Sequence, residues 1–171
     1  RLEGSDTYGE LPFQAGMLPD GGASLLATAP LLPYFDIDPG VVRYLGTGQW
    51  DDPRIGLEPA WIGGWFAAPD PQRRQAFEAR FELLFGRRPV RLATLAYDGV
   101  ALAAVLARGE VPDPYARARM ENPDGFAGAD GIFRLTETGA VERGLAVLEI
   151  RRDAPREIDP APTSFALPVT N

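Results

Sequence analysis

The sequence predicts an α/β fold built on a parallel sheet. Residues 13–18 and 41–45 are short apolar runs typical of buried strands. Residues 23–32 lie between them and space leucine and alanine for one face of a helix. Strand, helix and strand in this order predict a βαβ unit, in which the two strands run parallel. With 171 residues, of which 45% are apolar, the chain is long enough to bury a core.

Turn residues punctuate this first unit. Pro19-Asp20-Gly21-Gly22 predicts a turn before the helix, and residues 36–40 predict another after it. Pro30 lies inside the helical pattern and predicts a kink or an early end. Residues 1–11 are polar and predict a loop or a frayed helix end, and residues 60–66 form a further apolar run.

A second helix is predicted from Pro71 to Gly86. Asp70 is a good N-cap, proline suits the first helical position, and glycine suits the end. One face carries an apolar stripe that we expect to be core, and Arg74 and Glu78 are spaced to pair across one helical turn. The stripe consists of Phe77, Phe81, Leu84 and Phe85.

A third helix, residues 90–108, is apolar nearly all round. Such a helix needs cover on most of its surface. The rest of the chain offers few elements to supply that cover, so we expect part of the parent domain to lie outside this sequence, or another chain to cover the helix. The sequence begins at Arg1 without methionine, which also suggests a missing N-terminus.

Shorter elements follow this helix. We predict a polar connector with a short helix at 115–120, a glycine-rich turn at 125–131, and strands at 132–135 and 141–151. The proline-rich segment from Pro155 is expected to lie extended on the surface.

Composition excludes several classes of function. The chain has no histidine, cysteine or lysine, which removes zinc sites of the His/Cys type, thiol nucleophiles, catalytic triads, Schiff bases and P-loops. A carboxylate glycosidase or a Mg²⁺ site stays formally open, but we predict no catalytic residue and no cofactor. The net charge of −7 argues against a nucleic-acid partner, and no apolar run is long enough to span a bilayer.

The best candidate site is the loop at residues 46–52, directly after a predicted strand. Ligands of open α/β sheets bind outside the carboxyl ends of strands. Thr47, Gln49 and Trp50 offer a hydroxyl, an amide and an apolar face, and flanking glycines let backbone approach a ligand. In an equally weighted alternative, the glycines form a turn and Trp50 fills the edge of the core. The adjacent Asp51 and Asp52 are more typical of solvated carboxylates than of a cation site.

The order of these elements resembles the type 1 periplasmic binding domains of the leucine/isoleucine/valine-binding superfamily. Two runs carry the resemblance. The first consists of Ala79-Arg80-Phe81, Phe85-Gly86-Arg87-Arg88-Pro89 and Leu95-Ala96-Tyr97-Asp98-Gly99-Val100. The second consists of Gly125-Phe126-Ala127-Gly128, Gly131-Ile132-Phe133-Arg134-Leu135 and Arg143-Gly144-Leu145-Ala146-Val147. Two details are similar to the penicillin-binding protein activators of proteobacteria, namely Gly46-Thr47-Gly48-Gln49-Trp50-Asp51-Asp52 and Gly63-Gly64-Trp65-Phe66-Ala67.

This resemblance implies two three-layer, Rossmann-like lobes with helices on both faces of each sheet, of which this chain is the C-terminal half. It implies a second-lobe βαβ portion at 12–62, a hinge crossing at 63–70 with Gly63, Gly64 and Trp65, first-lobe helices at 71–122, a return to the second lobe at 123–160 and an extended tail at 161–171. The cleft-facing loops of the family carry Asp20, Gly21, Thr47, Gln49 and Trp50 here.

The resemblance also implies a function without catalysis. The leading expectation is an accessory or activator of peptidoglycan synthesis that docks on a penicillin-binding protein; the alternative is an amino-acid receptor for an ABC permease. Both imply a periplasmic location, with a lipid anchor expected on the full-length protein. Asp98 is expected to make a structural hydrogen bond in preference to a ligand contact.

Overall fold

The computed structural model describes residues 11–108 and 111–166. Nearly all of the loop predicted at 1–11 and the last five residues of the predicted tail lie outside that range. The described strands are β1 (Ala15–Met17), β2 (Arg43–Gly46), β3 (Trp65–Ala68), β4 (Phe126–Gly128), β5 (Gly131–Leu135), β6 (Val141–Arg143), β7 (Ala146–Glu149) and β8 (Arg156–Asp159). The described α-helices are α1 (Gly22–Thr28), α2 (Leu31–Tyr34), α3 (Pro71–Phe85), α4 (Ala93–Ala107) and α5 (Arg117–Met120).

The chain separates into two compact units. Unit 1 contains the residues up to Ala68 together with Ala146–Asp159, and unit 2 contains Pro69–Leu145 and the residues from Pro160. Within the described chain, the backbone therefore passes between the units after residues 68, 145 and 159.

Unit 1 is built on a five-stranded sheet in the order β1-β2-β3-β7-β8. The first three strands are parallel, and β7 and β8 are antiparallel additions. The helices α1 and α2 connect β1 to β2, so the predicted βαβ unit and the mixed α/β class are confirmed. The first helix ends at Thr28, ahead of Pro30, as proline in a helical pattern predicts.

The sheet of unit 1 is covered on one side. Tyr44, Phe66 and Leu148 are at most 3% exposed, whereas the side chains that alternate with them are half-buried or exposed. Because successive strand residues point to opposite faces, one face of the sheet belongs to the core and the other is partly open.

Unit 2 combines α3, α4 and α5 with the antiparallel sheet β4-β5-β6. The boundaries of α3 follow the prediction closely. Asp70 Oδ1 accepts hydrogen bonds from the backbone N–H groups of Gln72 at 2.8 Å and Arg73 at 3.4 Å, and Gly86 ends the helix with φ of 66°. The predicted pair is also present, with Arg74 Nε 2.8 Å from Glu78 Oε1.

The predicted burial of α3 was wrong. No residue of α3 is buried, and Leu84 and Phe85 are 64% and 61% exposed. The aromatic rings pack on one another instead, with centroids 4.5 Å apart for Phe81 and Phe85. An apolar stripe identifies the side of a helix that prefers cover, and the described residues supply that cover only in part: Phe77 and Phe81 are half-buried, and the ring centroid of Phe77 is 5.3 Å from that of Tyr97 in α4.

Two other element predictions need correction, and the apolar run at 60–66, for which no element was predicted, is now assigned. This run contains a 3₁₀ turn, Pro59–Trp61, followed by β3, and Gly63 adopts a φ of 86° between them. The single strand predicted at 141–151 is two strands, β6 and β7, which belong to different sheets. The glycine-rich turn at 125–131 contains β4, paired with β5.

The expected lobe boundaries differ from the unit boundaries at one point. The strands β4, β5 and β6 lie in unit 2 with α3 and α4, and the chain returns to unit 1 after Leu145, whereas the expected return began at residue 123. The pairing of β4 and β6 with β5 holds these residues in one sheet of unit 2. The assignment of the units to lobes stays a prediction.

Candidate functional site

The loops that follow β1 and β2 lie side by side at one edge of the unit 1 sheet. The two strands are parallel neighbours, so both loops leave from carboxyl ends. Gln49 Nε2 donates to the carbonyl of Pro19 at 3.3 Å, and Trp50 Nε1 donates to the carbonyl of Asp20 at 3.0 Å. The structure therefore brings together the predicted residues Asp20, Gly21, Thr47, Gln49 and Trp50.

Trp50 belongs to the buried core next to this edge. Its side chain is 1% exposed, and its ring centroid is 5.6 Å from that of Trp61, which is itself fully buried. A Cβ atom added to Gly46 would lie 2.1 Å from Trp50 Cδ2, and one added to Gly64 would lie 2.8 Å from Trp50 Cζ3. The geometry thus favours the alternative in which Trp50 fills the edge of the core, and the glycines make room for its ring.

The predicted site side chains that reach solvent are polar. Asp20 and Gln49 are exposed, and Thr47 is half-buried. Thr47 Oγ1 accepts a 3.3 Å hydrogen bond from the backbone N–H of Gln49 and so caps the 3₁₀ turn Gly48–Trp50. That bond uses a lone pair, so the hydroxyl hydrogen can still be donated to a ligand.

Gly21 lets the two loops approach each other. A Cβ atom at this position would be 2.6 Å from Gln49 Cβ, closer than real Cβ contacts come. The edge can therefore offer a carboxylate, a hydroxyl and an amide on a backbone scaffold that is closely packed. These groups suit hydrogen-bonded recognition of a small polar molecule, and they contain no paired nucleophile and base.

The neighbouring acidic pair is engaged within the protein. Asp52 Oδ2 is 2.6 Å from Arg54 Nη2, and this side-chain hydrogen bond holds the pKa of Asp52 below its usual range. In the part of the chain that the structure describes, no group of three or more acidic side chains is arranged to hold a metal ion.

Asp98 has a structural setting, as predicted. Its side chain is 1% exposed, its Oδ1 accepts from the backbone N–H of Ala129 at 2.6 Å, and its Oδ2 lies 3.2 Å from Arg143 Nη1. Sequence reasoning missed Arg143 as the partner because it lies 45 residues further along the chain. The carboxylate ties α4 to the β4-β5-β6 sheet of unit 2.

The three predicted hinge residues lie within unit 1. Gly63 N–H donates to the carbonyl of Ile150 at 2.9 Å, and the N–H of Ile150 donates to the carbonyl of Gly64 at 2.8 Å. The guanidinium of Arg43 lies 4.9 Å from the ring centroid of Trp65, and its Nη1 donates to the carbonyl of Gly63 at 2.5 Å. These contacts hold residues 63–65 against the sheet of unit 1, and the chain enters unit 2 at Pro69. A hinge role for the three residues stays a prediction.

Comparison with known proteins finds similarity to solved structures only. No protein-family model and no curated protein matches the sequence. A solved structure described as a branched-chain amino acid ABC transporter from Rhodospirillum rubrum is similar over 85% of this chain and 44% of its own, with a TM-score of 0.67 and 23% identity.

Two further solved structures carry ligands. A solute-binding protein of an ABC transporter from R. palustris, in complex with benzoate, matches 90% of this chain and 43% of its own, with a TM-score of 0.55 and 17% identity. A branched-chain amino acid transporter substrate-binding protein from Streptococcus pneumoniae, in complex with isoleucine, matches 86% of this chain and 45% of its own, with a TM-score of 0.53 and 15% identity. This chain thus spans less than half the length of the structures it resembles.

Proposed function

Because the chain has the fold of part of a type 1 periplasmic binding protein of the leucine/isoleucine/valine-binding kind, we propose that it is part of a non-catalytic solute-binding domain. The observation that carries the proposal is the meeting of the loops after β1 and β2 at the carboxyl edge of two parallel strands. Open α/β sheets bind ligands at such edges. The lack of histidine, cysteine and lysine in the sequence supports binding without catalysis.

The proposed ligand is a small molecule with a carboxylate beside an apolar group. Isoleucine and benzoate, which the solved structures hold, share this chemistry. Thr47 and Gln49 would donate hydrogen bonds to the carboxylate, through the free hydroxyl hydrogen and the amide. Asp20 would accept from an ammonium group, so its exposed carboxylate favours an amino acid over an aromatic acid.

The proposed location is the periplasm, and the proposed partner is an ABC permease, as the transporter proteins of the same fold suggest. No helix among the described residues is both long and apolar enough to cross a bilayer. The more specific expectations of a penicillin-binding protein partner and a lipid anchor have no counterpart in the structures described above, and they stay predictions.

Calorimetry on the complete gene product that contains these residues tests the proposal. We expect saturable binding of leucine, isoleucine or valine, and weaker binding of benzoate. Thr47→Ala should weaken binding about tenfold, because one hydrogen bond to a charged group is worth about 1.5 kcal/mol or more. Asp20→Asn should reduce the preference for an amino acid over benzoate.

Two control variants belong to the same experiment. Thr163→Ala and Asp153→Asn change the same side chains at exposed positions outside the two loops, and they should leave the affinity unchanged. A folded protein that binds no member of the panel would remove the proposal. Equal losses in the test and control variants would instead remove the assignment of the site to this edge.

A further inference from the structure

Unit 2 contains an apolar cavity between α4 and the strands β5 and β6. Its volume is about 440 Å³, which is within the range of small-molecule sites. Leu106 and Phe133 line its interior and are 6% and 4% exposed, whereas Tyr115 and Val141 line its opening and are 47% and 50% exposed. An apolar cavity that opens to solvent can take up an apolar molecule from water.

Gly99 lies in the interior of α4 and lines this cavity. Glycine destabilises a helix relative to alanine, and it is favoured where another group must approach the backbone closely. Apart from the surrounding backbone of α4, no atom of the described residues lies within 4 Å of the position that a Cβ atom would occupy at Gly99. No described side chain therefore requires this glycine, and its effect is to leave room in the cavity.

Arg143 is the only charged residue among the described residues that line the cavity. Its Nη1 lies 3.2 Å from Asp98 Oδ2, and its guanidinium carbon lies 5.0 Å from the ring centroid of Phe133. A guanidinium carries more N–H groups than this one contact uses, and the side chain makes no other hydrogen bond with a described residue. Arg143 can therefore donate to a ligand without releasing Asp98.

We propose that this cavity binds a small neutral molecule that combines an apolar chain or ring with one carbonyl oxygen. The apolar part replaces water against Leu106 and Phe133, and the carbonyl oxygen accepts a hydrogen bond from Arg143. The site lies wholly within unit 2, so it is separate from the proposed amino-acid site at the loops after β1 and β2.

The charges around Arg143 favour a neutral ligand over an anion. The side chain of Asp98 is 1% exposed and already matches the charge of Arg143. A second carboxylate, Asp130, is 3% exposed and accepts a 2.7 Å hydrogen bond from Thr94, one helical turn before Asp98. A carboxylate on the ligand would add a like charge beside Asp98 in a site with little water, which is unfavourable. A carbonyl oxygen accepts the same hydrogen bond from Arg143 without that repulsion.

Two probes of similar size test this preference on the complete gene product. Ligand-observed NMR by saturation transfer should show saturable binding of 2-nonanone, with a Kd of roughly 1 mM, as expected for a molecule of its size. Nonanoate has the same number of carbon atoms but carries a carboxylate, and it should bind about tenfold more weakly or worse. Saturating isoleucine should not displace 2-nonanone, because the two proposed sites are separate.

Substitutions at Gly99 test the location of the site. Gly99→Ala should weaken the binding of 2-nonanone several-fold, and Gly99→Leu should abolish it, because the new side chain occupies the cavity. Neither variant should lower Tm, since alanine and leucine are better helix formers than glycine. Ala104→Leu is the matched control. It adds a leucine at an exposed position of α4 that does not line the cavity, and it should leave the binding unchanged.

Three results would overturn the proposal. The folded parent protein could fail to bind 2-nonanone, Gly99→Leu could bind it as well as Ala104→Leu does, or isoleucine could displace it. Binding of nonanoate as tight as that of 2-nonanone would overturn the assignment to a neutral ligand. If Gly99→Leu did not fold, Gly99→Ala would decide against Ala104→Leu, since a loss of affinity is expected for the smaller substitution as well.

Discussion

Replacing Gly46 by alanine should destabilise unit 1 through a collision with Trp50. The added Cβ atom would lie 2.1 Å from Trp50 Cδ2 and 2.2 Å from Cε2, far inside the separation of about 3.5–4.0 Å at which carbon atoms attract. The ring cannot move freely, because it is 1% exposed, packs against Trp61 and donates to the carbonyl of Asp20. Either the strand end or the indole must therefore shift.

The expected loss is about 2–4 kcal/mol in the free energy of unfolding. Overpacking a core costs typically 1–3 kcal/mol, and loss of the hydrogen bond from Trp50 Nε1 would add about 1 kcal/mol. Gly16→Ala is the matched control in the neighbouring strand, since its Cβ would make an ordinary 3.9 Å contact with Val42 Cγ1. We expect the control to change stability by less than about 0.5 kcal/mol.

Urea unfolding followed by circular dichroism and tryptophan fluorescence measures both variants. A double variant, Gly46→Ala with Trp50→Leu, should lose less stability than the sum of the two single variants, because the smaller side chain removes the collision. If Gly46→Ala were as stable as Gly16→Ala, or if the double variant were strictly additive, Trp50 would not lie over Gly46 and the account of this loop would be wrong.

Three further predictions concern other contacts. Asp70→Ala should cost about 1 kcal/mol in urea unfolding by removing the cap of α3, whereas Asp70→Asn should cost less. Asp98→Ala should cost about 2–4 kcal/mol, because it leaves the N–H of Ala129 and the partly buried Arg143 without their acceptor; a loss no larger than that of Asp153→Asn would contradict this. The pKa of Asp52 is lowered in the folded state by Arg54, so its contribution to stability should be present above about pH 4 and lost as the pH falls through the lower folded value. Urea midpoints between pH 2 and 6 should therefore fall less steeply for Asp52→Asn than for the parent protein.

Features set by neighbouring residues could be predicted from the sequence. Asp70, Pro71 and Gly86 bound α3 because capping depends on side-chain and backbone preferences within a few residues. The pair of Arg74 and Glu78 follows from the helical repeat alone. The parallel pairing of β1 and β2 follows from the helical crossover between them, because that connection returns the chain to the end of the sheet where β1 began.

Features set by distant residues could not be predicted. The short strands β4 and β6 acquire their structure by pairing with β5, and a three-residue strand has too few residues to show a period. The apolar stripe of α3 was identified correctly as a stripe, but a pattern of side chains cannot reveal whether a partner surface is present.

At Gly46, within the candidate site, the sequence alone also could not decide between two structures. A glycine after a strand allows another group to approach the backbone closely, and the sequence left open whether that group is a ligand or a neighbouring side chain. Here the group is the indole of Trp50, four residues further on.

The position of Trp50 changes what the loops after β1 and β2 can contribute to binding. Its indole belongs to the buried aromatic cluster with Trp61, and its N–H holds the carbonyl of Asp20 in the other loop. Gln49 adds a second bond between the loops, to Pro19. Because both loops are fixed to the same core, Asp20 and Thr47 are held in place before any ligand arrives, which reduces the ordering entropy that binding costs. In the proposed binding mode, Gly46 would therefore control the geometry of Asp20 and Thr47 without contacting the ligand itself.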